Sequence, residues 1–284
     1  MMWLSVVVVV LIQALIVVVA VAVPTSPRAI WVSGSQDAST GTDPDTDVAP
    51  EPTRDWRADF DELVGGYFAD NREVTGSVAL RVGDQEWGYE VDRPFETASI
   101  VKVEILVRWL LARQDGGLPP DEYLLAERMM VGSDNEATNE LCLIIAGRTS
   151  PGDVPGGTGA CSLDGYWGSD LTTASSQLDI LDEAMNSRRL TMESRQVVRE
   201  LMSSVTDEQR WGVSAAALDD ESVWLKNGWD DREGWLVHSI GVIDGPQQIT
   251  LAILTFGSPD YYTGISHVEE LAKLARQAIR PERG

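Results

Sequence analysis

Residues 99–113 read SIVKVEILVRWLLAR, and this stretch decides the fold. An apolar run of this length, closed by Gly116-Gly117, predicts a buried helix from about Ser99 to Arg113. Ser99 and Lys102 stand three positions apart, so they share a face at the helix start. A serine hydroxyl is a poor nucleophile until a base takes its proton. A lysine amine among apolar neighbours and other cations has a lowered pKa and can be that base. Unpaired backbone N–H groups at a helix start can also stabilise an oxyanion during acyl transfer. Ser-x-x-Lys alone is a weak signal, because that spacing is common by chance.

Two further motifs follow in order: Ser133-Asp134-Asn135, then Lys226-Asn227-Gly228 within SVWLKNGW, which reads as a strand. The chain has only three lysines, Lys102, Lys226 and Lys273, and its other basic residues are arginines. Arginine cannot be deprotonated in a protein, whereas lysine can. Solvated surface charge is the ordinary role for a lysine, but two of these three fall inside the ordered motifs. Other serine-hydrolase templates fit poorly. There is no Gly-x-Ser-x-Gly elbow, and a Ser-His-Asp triad would need His238, in an apolar strand, or His267, in the last helix.

Working outward, Asp55 caps a helix through about Ala69, and the strands SVALRV and EWGYEV meet at Gly83-Asp84. Helices are expected over 136–146, 173–186 and 192–203, with a Gly/Pro-rich loop over 148–170. VSAAAL, SVWLKNGW, WLVHSIGVI and ITLAILTF read as successive strands before a final helix over about 264–278. Strands thus flank a helical middle. The fold class is α/β (α+β): an antiparallel sheet flanked by helices, built from about 56–98 and 209–284, with an all-helical part inserted over about 99–208.

Met1 to Val23 carries no charged side chain, so 1–32 is either a membrane anchor or a signal peptide. Residues 33–55, rich in Ser, Thr, Asp and Pro, form an acidic linker, and the folded domain spans 56–284. Export places the domain in an oxidising, extracellular or cell-envelope compartment, where Cys142 and Cys161 can pair. Such a bridge would contribute about 3 kcal/mol; two isolated thiols are the alternative. The net charge of −23 argues against nucleic acid and against docking on anionic lipid. Neither histidine stands at a ligand spacing from the cysteines, so no metal is expected.

From Trp56 onward the ordered trio resembles that of the class A β-lactamase-like serine hydrolases, in the superfamily of β-lactamases and penicillin-binding proteins. The resemblance implies a five-stranded sheet. It also implies Ser99 as acylated nucleophile, Lys102 as base or relay, Ser133 as proton shuttle to the leaving nitrogen, and Lys226 as relay and carboxylate support. Asn135, Asn227 and Gly228 would bind substrate, and the backbone N–H groups of Ser99 and Trp229 would form the oxyanion hole. Thr172-Thr173 is similar to the pair that ends the family's omega loop. A monomer acting without cofactor on a β-lactam or a peptidoglycan-type peptide is the implied reading.

Three departures stand out. The loop CSLDGYWGSDLTT holds no glutamate, only Asp164 and Asp170, and without a positioned base an acyl-enzyme hydrolyses slowly. Asn227 replaces the usual threonine, its amide still able to donate. The stretch from Ser99 to Ser133 is short, which implies a trimmed helical part and an open cleft. Three functions remain, in this order: a serine hydrolase that turns over its acyl-enzyme; a D-Ala-D-Ala peptidase or penicillin-binding protein; and a catalytically silent binding module.

Overall fold

The computed structural model describes residues 55–161 and 167–280. The apolar N-terminal stretch, the linker through residue 54, and Asp164 lie outside them. The chain from Pro52 onward clusters as one unit.

Strands β1 (Thr75–Val82), β2 (Gln85–Tyr89), β5 (Ser222–Asp231), β6 (Trp235–Asp244) and β7 (Ile249–Ser258) form an antiparallel sheet in the order β2-β1-β7-β6-β5. A two-stranded ribbon pairs β3 (Phe95–Glu96) with β4 (Leu171–Thr172). The period-two alternation of the strands divides the core. Leu251 and Ile253 face helices α1 (Trp56–Asp70) and α7 (Tyr261–Ala278), whereas Ala252 and Leu254 face the remaining helices. Helix α1 offers the stripe Phe60, Val64 and Phe68, and is capped by Asp55, whose carboxylate accepts the Arg57 N–H. The α+β class with a five-stranded antiparallel sheet is therefore the observed one.

On the second face lie α2 (Lys102–Arg113), α3 (Pro120–Val131), α4 (Asn135–Ile145), α5 (Ala174–Asn186) and α6 (Met192–Ser203). Every residue of α2 from Lys102 to Leu110 is buried, so it is the axle of this half. Besides Lys102, two of them, Glu104 and Arg108, are charged and wholly inaccessible, and they pair at 2.8 Å. Their remaining valences hold the following loop. Glu104 accepts from the Thr158 and Gly159 N–H groups, and Arg108 donates to the Ser150 and Pro151 carbonyls. The Cys142–Cys161 disulfide ties the end of this loop to α4.

Three expectations need correction. VSAAAL is not a strand: Gly212–Ala216 is a 3-10 turn. Gly212 has φ +78°, and the Val213 N–H donates to Ser239 Oγ, so the segment is stapled across β6 instead of extending the sheet. The stretch between Ser99 and Ser133 contains α3, which went unread. It docks through Ala126, Met129 and Met130, and Glu122 clamps it to α2 by accepting from Trp109 Nε1 and Arg113. The α-helix starts at Lys102, not Ser99, because Ala98–Val101 winds as a 3-10 turn.

Glu104→Leu would leave the Arg108 guanidinium buried without a counter-charge. Urea denaturation is expected to show a loss of about 3–5 kcal/mol, with protease sensitivity rising first in the 149–159 loop. An unchanged midpoint would refute the assignment of the pair as the loop's anchor.

Candidate active site

Ser99 sits in the 3-10 turn that leads into α2, and two straps fix the backbone before it. The Thr97 and Ala98 N–H groups donate to the Asp170 and Gly168 carbonyls, and ribbon β3–β4 pairs Phe95 with Thr172. Thr172 in turn accepts from Gln177 Nε2, and Thr173 caps α5. Ala98 has φ +43°, a left-handed conformation that costs a non-glycine residue energy and persists only where its surroundings enforce it. Behind this turn His238 is wholly buried. Its Nδ1 accepts the Thr255 N–H, so Nε2 carries the proton and donates to the Glu96 carbonyl at 3.0 Å.

Strand β5 is the sheet's edge and passes beside the same turn. A Cβ on Gly228 would lie 2.8 Å from Ile100 N and 2.9 Å from Ser99 N. Only glycine lets the strand approach this closely. Alternation sends Lys226 and Gly228 to one side of β5 and Asn227 to the other.

Ser133 is the meeting point. Lys102 Nζ donates to Ser133 Oγ at 3.1 Å, to the Ser133 carbonyl at 2.8 Å and to Asn135 Oδ1 at 2.7 Å. Lys226 Nζ donates to the same Ser133 Oγ at 3.0 Å and to the Asn227 carbonyl at 2.9 Å. Both lysines are fully buried, and among the described residues neither forms an ion pair. Burial lowers Lys102 to about 7, against the opposing pull of Asp134. Complete burial, and then the charge of Lys102, push Lys226 well below its ordinary value.

Ser133 holds φ +56°. Asp134 fixes it there, capping α4 through the Glu136 and Ala137 N–H groups while pairing with Arg128 at 2.6 Å. The aspartate of the motif is thus structural.

Ser99, Asn135 and Trp229 line one cleft of about 250 Å³ with Trp167, Asp230 and Arg232. Among the described residues no partner is bonded to Ser99 Oγ; Lys102 is turned toward Ser133 and Asn135. Because Lys102 occupies Asn135 Oδ1, the Asn135 amide nitrogen is left for the cleft. Asn227 stands apart. Its Nδ2 donates to the Gln209 and Trp211 carbonyls, so its amide faces the sheet's other side. Trp167 is a site residue that sequence reading missed. Its ring lies 4.8 Å from Lys102 Nζ, and its Nε1 donates to Asn139. No sequence signal marks it, because the contact crosses from loop to helix. Among the described residues no cluster of side chains could hold a metal ion.

No family model matches the sequence, and no curated protein does. Solved structures do match in shape. PBP-A superposes with TM-score 0.62 over 80% of this chain and 96% of its own, at 17% identity. A PBP-A mutant solved as its acyl-enzyme complex with penicillin G gives 0.62 over 78% and 96%, at 16% identity. The class A β-lactamase of Mycobacterium abscessus gives 0.63 over 77% and 98%, at 16% identity. The chain has the β-lactamase/transpeptidase-like fold.

Two predictions follow from the geometry. Gly228→Ala must displace β5 from backbone atoms that cannot yield, so labelling of Ser99 by an acylating probe is expected to slow by about 100-fold; labelling at the wild-type rate would remove the contact's importance. His238 is held by burial to a pKa of about 4, below its unfolded value. As pH falls from about 6.5 to about 4 the unfolded chain takes up a proton that the folded chain refuses. Stability is therefore full above that window and declines through it, by up to about 3 kcal/mol. Unfolding measured at pH 7 and pH 4.5 should show this loss, reduced in His238→Gln.

Proposed function

We propose that the protein is a serine acyl-transfer enzyme that acylates Ser99 with an amide substrate bearing a carboxylate, a β-lactam or a peptidoglycan-type peptide. One observation carries this reading: Ser133 Oγ lies between two buried lysine amines, and one of them, Lys102, also holds Asn135 in the wall of the cleft that holds Ser99. Lysines removed from water without a carboxylate partner leave room for an anion brought by the substrate, and Lys226 is its support. Lys102, neutral above about pH 7, swings from Ser133 to take the Ser99 proton, a movement its flexible stem allows. Catalytic hydrogen bonds of this kind often form only with substrate in place. Ser99 Oγ then attacks the carbonyl. The resulting oxyanion lies against the backbone N–H groups of Ser99 and Trp229. As the tetrahedral species collapses, Ser133 passes its proton to the departing nitrogen and is reprotonated from the lysines, while Asn135 Nδ2 holds the substrate's amide side chain.

Hydrolysis of the acyl-enzyme needs a second base to activate water. Among the described residues only one carboxylate lines the cleft, Asp230, and it is engaged by Arg232 at 2.8 Å. This favours a long-lived acyl-enzyme, as in a penicillin-binding protein or peptidase, over the rapid turnover of a β-lactamase. The disulfide supports export to an oxidising compartment, with the N-terminal segment as anchor or signal. One copy supplies every residue named, so a monomer suffices.

Intact-mass spectrometry with benzylpenicillin tests the reading. A single adduct is expected, absent in Ser99→Ala. Its rate should climb with pH through a midpoint near 7, since below it Lys102 is an ammonium ion that cannot accept a proton, and Lys102→Ala should abolish the climb. Persistence of the adduct for hours supports the peptidase or penicillin-binding reading. Decay with release of product would make the protein a β-lactamase, and no adduct with any acylating probe would reduce it to a binding module.

A further inference from the structure

Beyond the cleft lies a second cavity, of about 510 Å³, between ribbon β3–β4 and the lower end of the sheet. Its floor is apolar, formed by Phe95, Leu236 and Phe256, and Leu171 stands in its wall 64% exposed. A large exposed leucine on a two-residue strand is a poor use of apolar surface unless something covers it. The volume lies in the range of small-molecule pockets.

Arg232 lines both cavities. Its guanidinium reaches Glu96 Oε2 at 3.3 Å, and both side chains are about half exposed, at 51% and 40%. Arg232 also pairs with the half-exposed Asp230 at 2.8 Å; exposed pairs of this kind open at small cost, so the residue shared by the two cavities can move. Along β5, Lys226 marks the end that would take the substrate's carboxylate and Gly228 the level of Ser99, and Arg232 follows directly on the strand's last residue, Asp231. The acyl part of a substrate therefore points toward Arg232. Arg232 lies four positions beyond Gly228, about 13 Å at about 3.3 Å per residue.

We infer that the cavity behind the Glu96–Arg232 pair is the seat of a long apolar acyl chain, so that the preferred substrates are amides carrying a fatty or extended aromatic acyl group. This rests on the acyl-transfer reading above and names its substrate class. The chain passes the ion pair and covers Leu171 and Phe256.

The experiment uses the penicillin nucleus acylated with straight chains from acetyl to dodecanoyl. Two quantities are read: the rate of Ser99 acylation, and the dissociation constant of each compound from Ser99→Ala. Short chains should behave alike. Once the chain is long enough to pass Arg232, rate or affinity should rise, by at most about fourfold per added methylene. In Leu171→Asp, and in Thr75→Trp, which fills the cavity from an exposed position, the dodecanoyl-to-acetyl ratio should fall toward one. A flat series in the wild type overturns the inference, and so does a rise that both variants leave intact. If no compound acylates Ser99, the acyl-transfer reading fails by itself. The dissociation constants then decide the cavity: a fall with chain length that the variants remove upholds it, and a flat series overturns it.

Discussion

Two amines without counter-ions are buried around one hydroxyl, and the rest of the molecule is arranged to tolerate them. Moving an ammonium ion out of water is costly unless it is paired. Among the described residues, Lys102 and Lys226 meet only neutral oxygens: Ser133 Oγ, the Ser133 and Asn227 carbonyls, and Asn135 Oδ1. Each charge also raises the cost of the other. The pair therefore holds its protons loosely, which is the property a serine nucleophile needs from its neighbours. Replacing these contacts by carboxylates would make a more comfortable core and a useless base. The Trp167 face over Lys102 is a compromise, attracting the cation weakly without fixing its proton.

The cost is carried by rigidity elsewhere. Ser133 and Ala98 both sit at positive φ, and each is overdetermined: Ser133 by the Asp134 cap with its Arg128 clasp, Ala98 by its bond to Gly168 and the adjoining ribbon. The charged pair in α2 works differently. Glu104 and Arg108 satisfy each other and then collect backbone groups of the 149–159 loop, so their charges organise chain and do no chemistry. The same helix thus carries one unpaired amine with a lowered pKa and two charges that satisfy each other. Partner supply separates them, not burial.

This distinction explains what was legible in the sequence. Ser99, Lys102, Ser133, Asn135 and Lys226 are readable because the proposed chemistry asks for particular residue types in order, and the scarcity of lysine marks two of them. The sheet is readable through alternation, as in ITLAILTF. Asn227 shows the limit. As a residue type it can donate to a substrate, yet period-two alternation beside Lys226 already places it on the opposite face, where the Gln209 and Trp211 carbonyls take its amide. VSAAAL has the apolar content of a strand, but the Ser239 hydroxyl that turns it into a 3-10 segment lies more than twenty positions away. Trp167 owes its place to contacts from a loop to helices α2 and α4, and Arg232 to one from a loop to β3, which no local pattern encodes.

Gly228 links the two halves of the problem. The Ser99 turn belongs to the helical side and Lys226 to the sheet, so the candidate site exists where β5 lies against the 98–101 turn. The distance at which a Cβ would strike the Ser99 nitrogen is 2.9 Å, so the strand's approach is set by backbone contact and not by adaptable side chains. A backbone contact cannot relax by choosing another rotamer. The spacing between Ser99 and the edge strand is therefore a fixed dimension of the fold, whereas Arg232, directly past the strand's end, is held by half-exposed ion pairs to Glu96 and Asp230. Precision at Ser99 and latitude at Arg232 fit an enzyme that holds the reacting carbonyl tightly while admitting variation in what is attached to it.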